Sequence, residues 1–277
     1  MVFGGVMLDL FRQGFDNSGR NMPFVCFLFL IDIVLIALTG ILSLEWITNT
    51  AGARIIVLHY DIFKAVKAAP DILKIAVEVF VMSGSIAAAG QFINSGHIKR
   101  GAFLKDGLKN YLRMCLLTFI WFATAVLPAF VWILIYIAYL SGAHPVFSAL
   151  FIGGGISFLL IMTAIFFMSP FILVLDGKSA LQAIKESFDI AKKSPGRLML
   201  FIGIYFLISF ILYLTAALAI GAYISVVEFV THSTRVGQFA RFSIEALFSF
   251  AARYVYLAGI FASALFYYKA KNGRKNI

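Results

Sequence analysis

The stretch LMLFIGIYFLISFILYLTAALAIGAYISVV, residues 198–227, carries no charged side chain from one end to the other. The hydrocarbon core of a bilayer is about 30 Å thick, and a helix of about 20 apolar residues crosses it. Because a backbone in lipid must satisfy its own hydrogen bonds, this stretch is predicted to be a transmembrane helix.

Similar apolar stretches occur along the whole chain, whose 277 residues are 62% hydrophobic and only 13% charged. They are continuous and much longer than the strands of a membrane β-barrel. We therefore predict an all-α, polytopic integral membrane protein, a single helical bundle of about six transmembrane helices over residues 1–277. The second predicted span contains Glu78, so a five-span arrangement is the alternative. The predicted spans are residues 24–44, 72–94, 114–140, 147–174, 198–227 and 240–268.

The net charge of +10 follows the connectors between the spans. Lys and Arg cluster in residues 99–113, 178–197 and 269–275, whereas the connector 141–146 has neither. Short loops rich in Lys and Arg remain in the cytoplasm. The sequence therefore predicts a multi-pass protein of the inner (cytoplasmic) cell membrane with both termini in the cytoplasm. We expect the positive charge to set the orientation of the protein in the membrane and to contact anionic lipid, and no nucleic-acid partner is predicted.

The chain also shows a weak internal repetition with a period near 90 residues, which predicts three pseudo-repeated hairpins. Their approximate bounds are residues 1–96, 97–175 and 176–277. Each hairpin begins with a cytoplasmic amphipathic segment that precedes an inward-to-outward span and a returning span. These segments end at Arg20, Arg113 and Arg197, respectively.

The best defined amphipathic segment begins at Ser179, which with Gln182 fits a capping box. Helices of this kind lie in the headgroup plane, where each lysine gains about 1 kcal/mol from anionic lipid. A purely connecting role is the alternative. The apolar side of this helix is predicted to consist of Leu181, Ile184, Phe188 and Ala191. The candidate contacts with anionic lipid are Lys105, Lys109, Arg113, Lys185, Lys192, Lys193 and Arg197.

Three further local features are predicted. Residues 53–68 have an apolar stripe and are predicted to form an outer interfacial helix. The small residues of 83–90 predict a close helix contact. Pro128 lies within the third span and is predicted to kink it.

Four charged residues lie well inside the predicted spans, away from the span ends: Asp32, Glu78, Glu245 and Arg253. A charged side chain at the centre of a span costs about 2.5–3.5 kcal/mol on insertion scales. We predict an ion pair between Asp32 and Arg253 that joins the first hairpin to the third. A role of these groups in proton or ion coupling is the alternative.

Motifs for catalysis are mostly absent from the sequence. The histidines are scattered, without a second ligand at a spacing typical of metal sites. There is no phosphate-binding glycine loop and no nucleophile elbow. We therefore expect no catalytic residue, no metal and no cofactor. The histidines are His59, His97, His144 and His232.

The segment SPFILVLDG (residues 169–177), followed by AIKESF (residues 183–188), resembles a family of six-span bacterial and archaeal membrane proteins. The family includes the membrane domain fused to some glycerophosphoryl diester phosphodiesterases and uncharacterised stand-alone relatives. In the fused relatives the phosphodiesterase chemistry belongs to a separate soluble barrel domain, which this sequence lacks. The resemblance therefore implies a non-catalytic membrane domain, with no catalytic residue to carry over.

These observations favour a non-catalytic membrane module that binds lipid, or scaffolds a protein partner or a second copy, at the inner membrane surface. The alternative is a transporter or permease subunit for a hydrophobic or lipid-like solute. A transporter is expected to have a polar cavity at mid-depth lined by Asp32, Glu78 or Arg253. A scaffold is expected to have these residues paired with one another and sealed from solvent.

Overall fold

The computed structural model describes residues 2–41, 60–99, 101–140, 144–231 and 234–272. Every regular element within these ranges is a helix and none is a strand, which confirms the all-α prediction for them. Two π-helical turns, Phe122–Val126 and Tyr136–Leu140, lie before and after the fifth α-helix. The helices are α1 (Val2–Arg20), α2 (Met22–Ile41), α3 (Tyr60–Ser95), α4 (Ala102–Trp121), α5 (Leu127–Ile135), α6 (Pro145–Phe167), α7 (Ser169–Asp176), α8 (Ala180–Lys193), α9 (Pro195–Thr231) and α10 (Thr234–Asn272).

Five stretches of the described chain are long and apolar enough to cross a membrane. A sixth is present if α1 and α2, which are bent by 81° at Asn21, form one broken span. The chain is thus a multi-pass helical membrane protein with five or six candidate spans. The five stretches are Ile72–Ser95, Ala102–Tyr139, Pro145–Asp176, Pro195–Tyr223 and Ala246–Lys271.

The amphipathic segments differ in how they join the spans that follow them. Helix α8 is separate, because Gly177 adopts the left-handed conformation before it (φ 68°) and Pro195 begins α9 after it. The predicted capping box is formed: the Ser179 hydroxyl accepts a hydrogen bond from the Gln182 backbone N–H, and Gln182 Oε1 accepts one from the Ser179 N–H. No proline interrupts α4, so its amphipathic part runs directly into the third span.

The described part of the predicted outer helix and the predicted kink at Pro128 both fall where the structure has helix. Residues 53–59 of the predicted outer helix lie outside the described ranges, and residues 60–68 form the first turns of α3 without a break before the second span. The π-helical turn Phe122–Val126 ends two residues before Pro128. A proline has no N–H to donate to the preceding turn, and a widened turn accommodates its ring.

The described residues group into two compact units, each assembled from segments distant in sequence. Unit 1 contains Met1–Leu10, Met82–Gly203 and Ser263–Ile277, and unit 2 contains Phe11–Val81 and Ile204–Ala262. Of the three predicted hairpins, only residues 97–175 fall entirely within one unit. The internal repetition stays a prediction.

Unit 1 is built around α7, whose Phe171, Ile172 and Leu173 are buried. Helix α8 packs on α6 and α7, and the Ser187 hydroxyl donates a hydrogen bond to the Ile165 carbonyl. This bond satisfies a buried hydroxyl on the side of α8 that faces the protein. Other large buried side chains of the unit are Ile86, Met114, Met168, Leu198 and Phe201.

The small-residue patch also belongs to the core of unit 1, and residues 83–90 are all buried. A Cβ atom added at Gly84 would lie 2.5 Å from the Phe103 ring, and the Ser83 hydroxyl donates to the Gly107 carbonyl at 3.3 Å. The missing side chain at Gly84 therefore lets α3 and α4 approach closely.

Unit 2 is held together by similar close contacts. A Cβ atom at Gly14 would lie 2.4 Å from the Ala258 carbonyl oxygen, so α1 and α10 approach backbone to backbone. One turn away, the Tyr254 hydroxyl donates to the Phe15 carbonyl at 3.0 Å. The buried apolar side chains of this unit include Phe11, Val25, Leu28, Leu35, Val81, Leu257 and Phe261.

Candidate functional site

Unit 2 contains a cluster of charged side chains, which we call the charge cluster: Asp32, Glu78, Ser249 and Arg253. Arg253 Nε donates to Asp32 Oδ2 at 2.6 Å, and its Nη2 donates to Asp32 Oδ1. Arg253 also binds Glu78, with 3.1 Å between Nη1 and Oε2 and a second contact from Nη2. The Ser249 hydroxyl donates to Asp32 Oδ2 at 3.2 Å. One guanidinium thus binds two carboxylates.

Three helices supply the charge cluster: α2 carries Asp32, α3 carries Glu78, and α10 carries both Ser249 and Arg253. Ser249 and Arg253 are four residues apart, which places them on the same face of α10. The side chains of Asp32 and Arg253 are 12% and 10% exposed, whereas the Glu78 side chain is 38% exposed. The Asp32–Arg253 pair is the sealed part of the cluster, and Glu78 is its open edge.

The planar guanidinium of Arg253 is suited to binding carboxylates because its fixed fork of donors matches them in a bidentate arrangement. The Arg253 Cζ atom also lies 5.4 Å from the centroid of the Tyr256 ring, within the range of a cation–π contact. A buried charge deprived of its partner is strongly destabilising. The charge cluster therefore connects α2, α3 and α10 through a single arginine.

The predicted ion pair contained Asp32 and Arg253, with Glu78 as a further intramembrane polar residue, and in the structure Glu78 binds the same guanidinium as Asp32. One signal pointed to this arrangement, since Arg253 lies near the middle of its predicted span and has several acidic candidates in the other spans. The side chain of Glu245 lies outside the part of the chain whose side chains are described.

A second set of polar groups lies on the surface of unit 1, on the first half of α4 and on α8. We call Lys105, Lys109, Arg113, Lys185, Lys192 and Lys193 the basic face; all of them are exposed. The two helices contact each other. Within the described residues, none of these side chains forms an ion pair, although Arg113 donates to the Gly177 carbonyl at 2.9 Å. Arg197 is exposed in the first turn of α9.

On α4 the basic residues alternate with leucines. Lys105, Lys109 and Arg113 follow one another at intervals of four residues and so form a row along the helix. An adjacent row consists of Leu104, Leu108 and Leu112, which are 51%, 66% and 79% exposed. More than half of each leucine residue's surface is therefore free of contact with the described part of the protein.

Helix α8 repeats this arrangement of exposed apolar and basic residues. Its protein-facing side is formed by Ala180, Ala183, Ser187 and Ile190. Of the predicted apolar side, Leu181 and Phe188 are exposed, at 71% and 48%. Their spacing places them in one stripe with Lys185 and Lys192 (residues i, i+4, i+7 and i+11). The stripe is therefore amphipathic and faces away from the core of unit 1.

Beside the basic face, the Asp176 carboxylate interacts with Tyr267, Lys271 and Lys178. These interactions were not predicted from the sequence. It accepts hydrogen bonds from the Tyr267 hydroxyl at 2.7 Å and from Lys271 Nζ at 2.7 and 2.8 Å. Lys178 Nζ lies 3.8 Å from the same carboxylate and also pairs with Glu186. Lys178 and Lys271 are thus neutralised locally, in contrast to the lysines of the basic face.

No known protein family, no curated protein and no solved structure matches this chain. The resemblance of residues 169–177 and 183–188 to the six-span family therefore stays a prediction.

Proposed function

We propose that this chain is a non-catalytic integral membrane protein whose basic face binds the anionic headgroups of lipids at one membrane surface. The observation that supports this function is the exposed alternation of leucine or phenylalanine with lysine on α4 and α8. Apolar side chains beside unpaired lysines suit the boundary between headgroups and acyl chains. The long lysine stems can lie along that boundary while the ammonium groups reach the phosphates.

The positive-inside bias assigns this surface to the cytoplasm. The proposal accordingly includes six spans, with α1 and α2 as the broken first span, and both chain ends on the cytoplasmic side of the inner membrane. The three hairpins remain part of this proposal, in which each hairpin carries one cytoplasmic amphipathic segment.

A transporter for a hydrophobic or lipid-like solute is the alternative function. It would require the intramembrane charges to line a polar path. In the described structure Asp32 and Arg253 bind each other and are largely buried, which supports a structural role for them. In the scaffold form of the hypothesis, the basic face is covered by a protein partner or by a second copy of the chain.

Replacing Lys185, Lys192 and Lys193 of α8 together with glutamine tests the proposed function. We expect the full-length protein in neutral detergent to bind anionic phospholipid about 100-fold more weakly at low salt, because each lysine contributes about 1 kcal/mol. The difference should shrink at high salt, where the charges are screened. Titration of a fluorescent phosphatidylglycerol in mixed micelles measures the affinity.

The matched control is Lys74→Gln, which removes an exposed lysine from unit 2, and it is expected to bind as the unaltered protein does. Phosphatidylcholine should bind both forms equally. An unchanged affinity of the triple variant for phosphatidylglycerol at every salt concentration would remove the lipid-binding role of the basic face.

A further inference from the structure

A cavity of about 360 Å³ lies in unit 1 beside the basic face. Its walls come from the end of α3, the first half of α4, the end of α7 and the end of α10. This volume lies near the lower end of the range of small-molecule pockets, about 300–1,000 Å³. We infer that this cavity binds the phosphate group of a phosphate ester, supplied by a lipid headgroup or by a soluble compound.

The lining of the cavity carries a net positive charge. Lys99 and Lys109 line it, and neither ammonium has an ion-pair partner in the described part of the chain. Asp106, the acidic residue in the lining, already accepts a hydrogen bond from Gln91 Nε2 at 3.1 Å. The lining thus has one excess positive charge and two uncommitted cations, and lysine ammonium groups commonly bind phosphate as point charges.

The neutral polar groups add donors. The Tyr268 hydroxyl accepts a hydrogen bond from Asn94 Nδ2 at 3.1 Å, which leaves its own hydrogen to be donated to a ligand. Asn110 is buried, and its side-chain amide donates to the Asp106 backbone carbonyl at 3.0 Å, which orients the Asn110 side chain. A tetrahedral phosphate with several oxygens can accept from the tyrosine and from both lysines together.

The apolar part of the lining favours an amphiphile. Val174 and Leu175 form one side of the cavity, and Gly90 allows Leu175 to approach α3, because a Cβ atom there would lie 2.3 Å from Leu175 Cδ2. Lys109 belongs both to the cavity and to the basic row of α4, next to the exposed Leu108 and Leu112. A phosphate in the cavity would therefore have an apolar surface beside it for attached acyl chains.

This inference rests on the proposed function but names a discrete site within it. Three changes in the full-length chain test it: Lys99→Gln with Lys109→Gln, Tyr268→Phe, and the control Lys269→Gln, which removes an exposed lysine adjacent to Tyr268 in sequence. We expect the lysine pair to weaken the binding of phosphatidylglycerol about 30-fold. Tyr268→Phe, which changes no charge, should weaken it about tenfold. The control should change it no more than about fivefold.

Native mass spectrometry in neutral detergent counts the bound lipids. Thermal unfolding with added inorganic phosphate tests whether a soluble phosphate binds the site. One tightly bound phosphatidylglycerol, lost in Tyr268→Phe and in the lysine pair, supports the site with a lipid source. Protection by inorganic phosphate that both variants abolish, without lipid binding, supports the site with a soluble source.

The site is overturned if Tyr268→Phe binds both probes as tightly as the unaltered protein, or if the control weakens binding as much as the lysine pair. These outcomes leave the proposed function intact when the α8 triple variant still loses affinity. A full-length protein that prefers no anionic lipid contradicts the proposed function instead.

Discussion

Replacing Arg253 with alanine is expected to lower the free energy of unfolding in detergent by about 3–5 kcal/mol. The change removes the only cation of the charge cluster and leaves Asp32 and Glu78 near each other without a partner. Removal of one partner from a buried ion pair exposes the other to the full cost of desolvation. Thermal or denaturant unfolding of the purified protein measures the effect.

Asp32→Asn should cost less than Arg253→Ala, because Arg253 then keeps Glu78 and a neutral hydrogen-bond acceptor at residue 32. The matched control is Lys269→Ala, which removes an exposed cation from the same helix and should cost within about 0.5 kcal/mol. Combining Arg253→Ala with Asp32→Asn should cost less than the sum of the two changes, by about 0.5–3 kcal/mol. Fully additive losses would show that the two side chains do not interact.

Replacing Gly84 with leucine is expected to destabilise the protein by about 3 kcal/mol or more, since overpacking of a close contact forces the backbone apart. A Cβ atom alone would lie 2.5 Å from the Phe103 ring and 2.9 Å from the Phe103 carbonyl oxygen. The midpoint of thermal unfolding in detergent should fall accordingly.

Gly153→Leu is the matched control, because Gly153 lies within a helix of the same unit with no atom near its missing side chain. This substitution should be tolerated. Adding Phe103→Ala to Gly84→Leu should recover part of the lost stability, because it removes the ring that the new side chain meets. If Gly84→Leu unfolds at the same temperature as the unaltered protein, α3 and α4 do not pack as described.

The sequence predicted the helical membrane class because uncharged stretches such as residues 198–227 allow no other backbone arrangement in lipid. It also predicted the start of helix α8, because Ser179 and Gln182 fit a capping box. The internal repetition placed the end of an amphipathic segment at Arg113, where the structure has continuous helix. A change from an amphipathic to a fully apolar pattern does not by itself end a helix.

The polar sites were harder to predict from the sequence. Glu78 belongs to a different span from Asp32 and Arg253, and hydropathy does not show which faces of distant spans meet. The cavity residues Gln91, Asn94 and Tyr268 lie near helix ends, where a polar side chain most often contacts water. Their convergence depends on tertiary packing, which a single sequence does not reveal.

Labelling of single cysteines in cells tests the central claim most directly, namely that the basic face of a multi-pass protein lies on the cytoplasmic side. Lys185→Cys and His144→Cys are each introduced into a chain in which Cys26 and Cys115 are replaced by alanine. We predict that a membrane-impermeant maleimide labels His144→Cys in intact cells and labels Lys185→Cys only after the cells are opened. Labelling of Lys185→Cys in intact cells would contradict the claim.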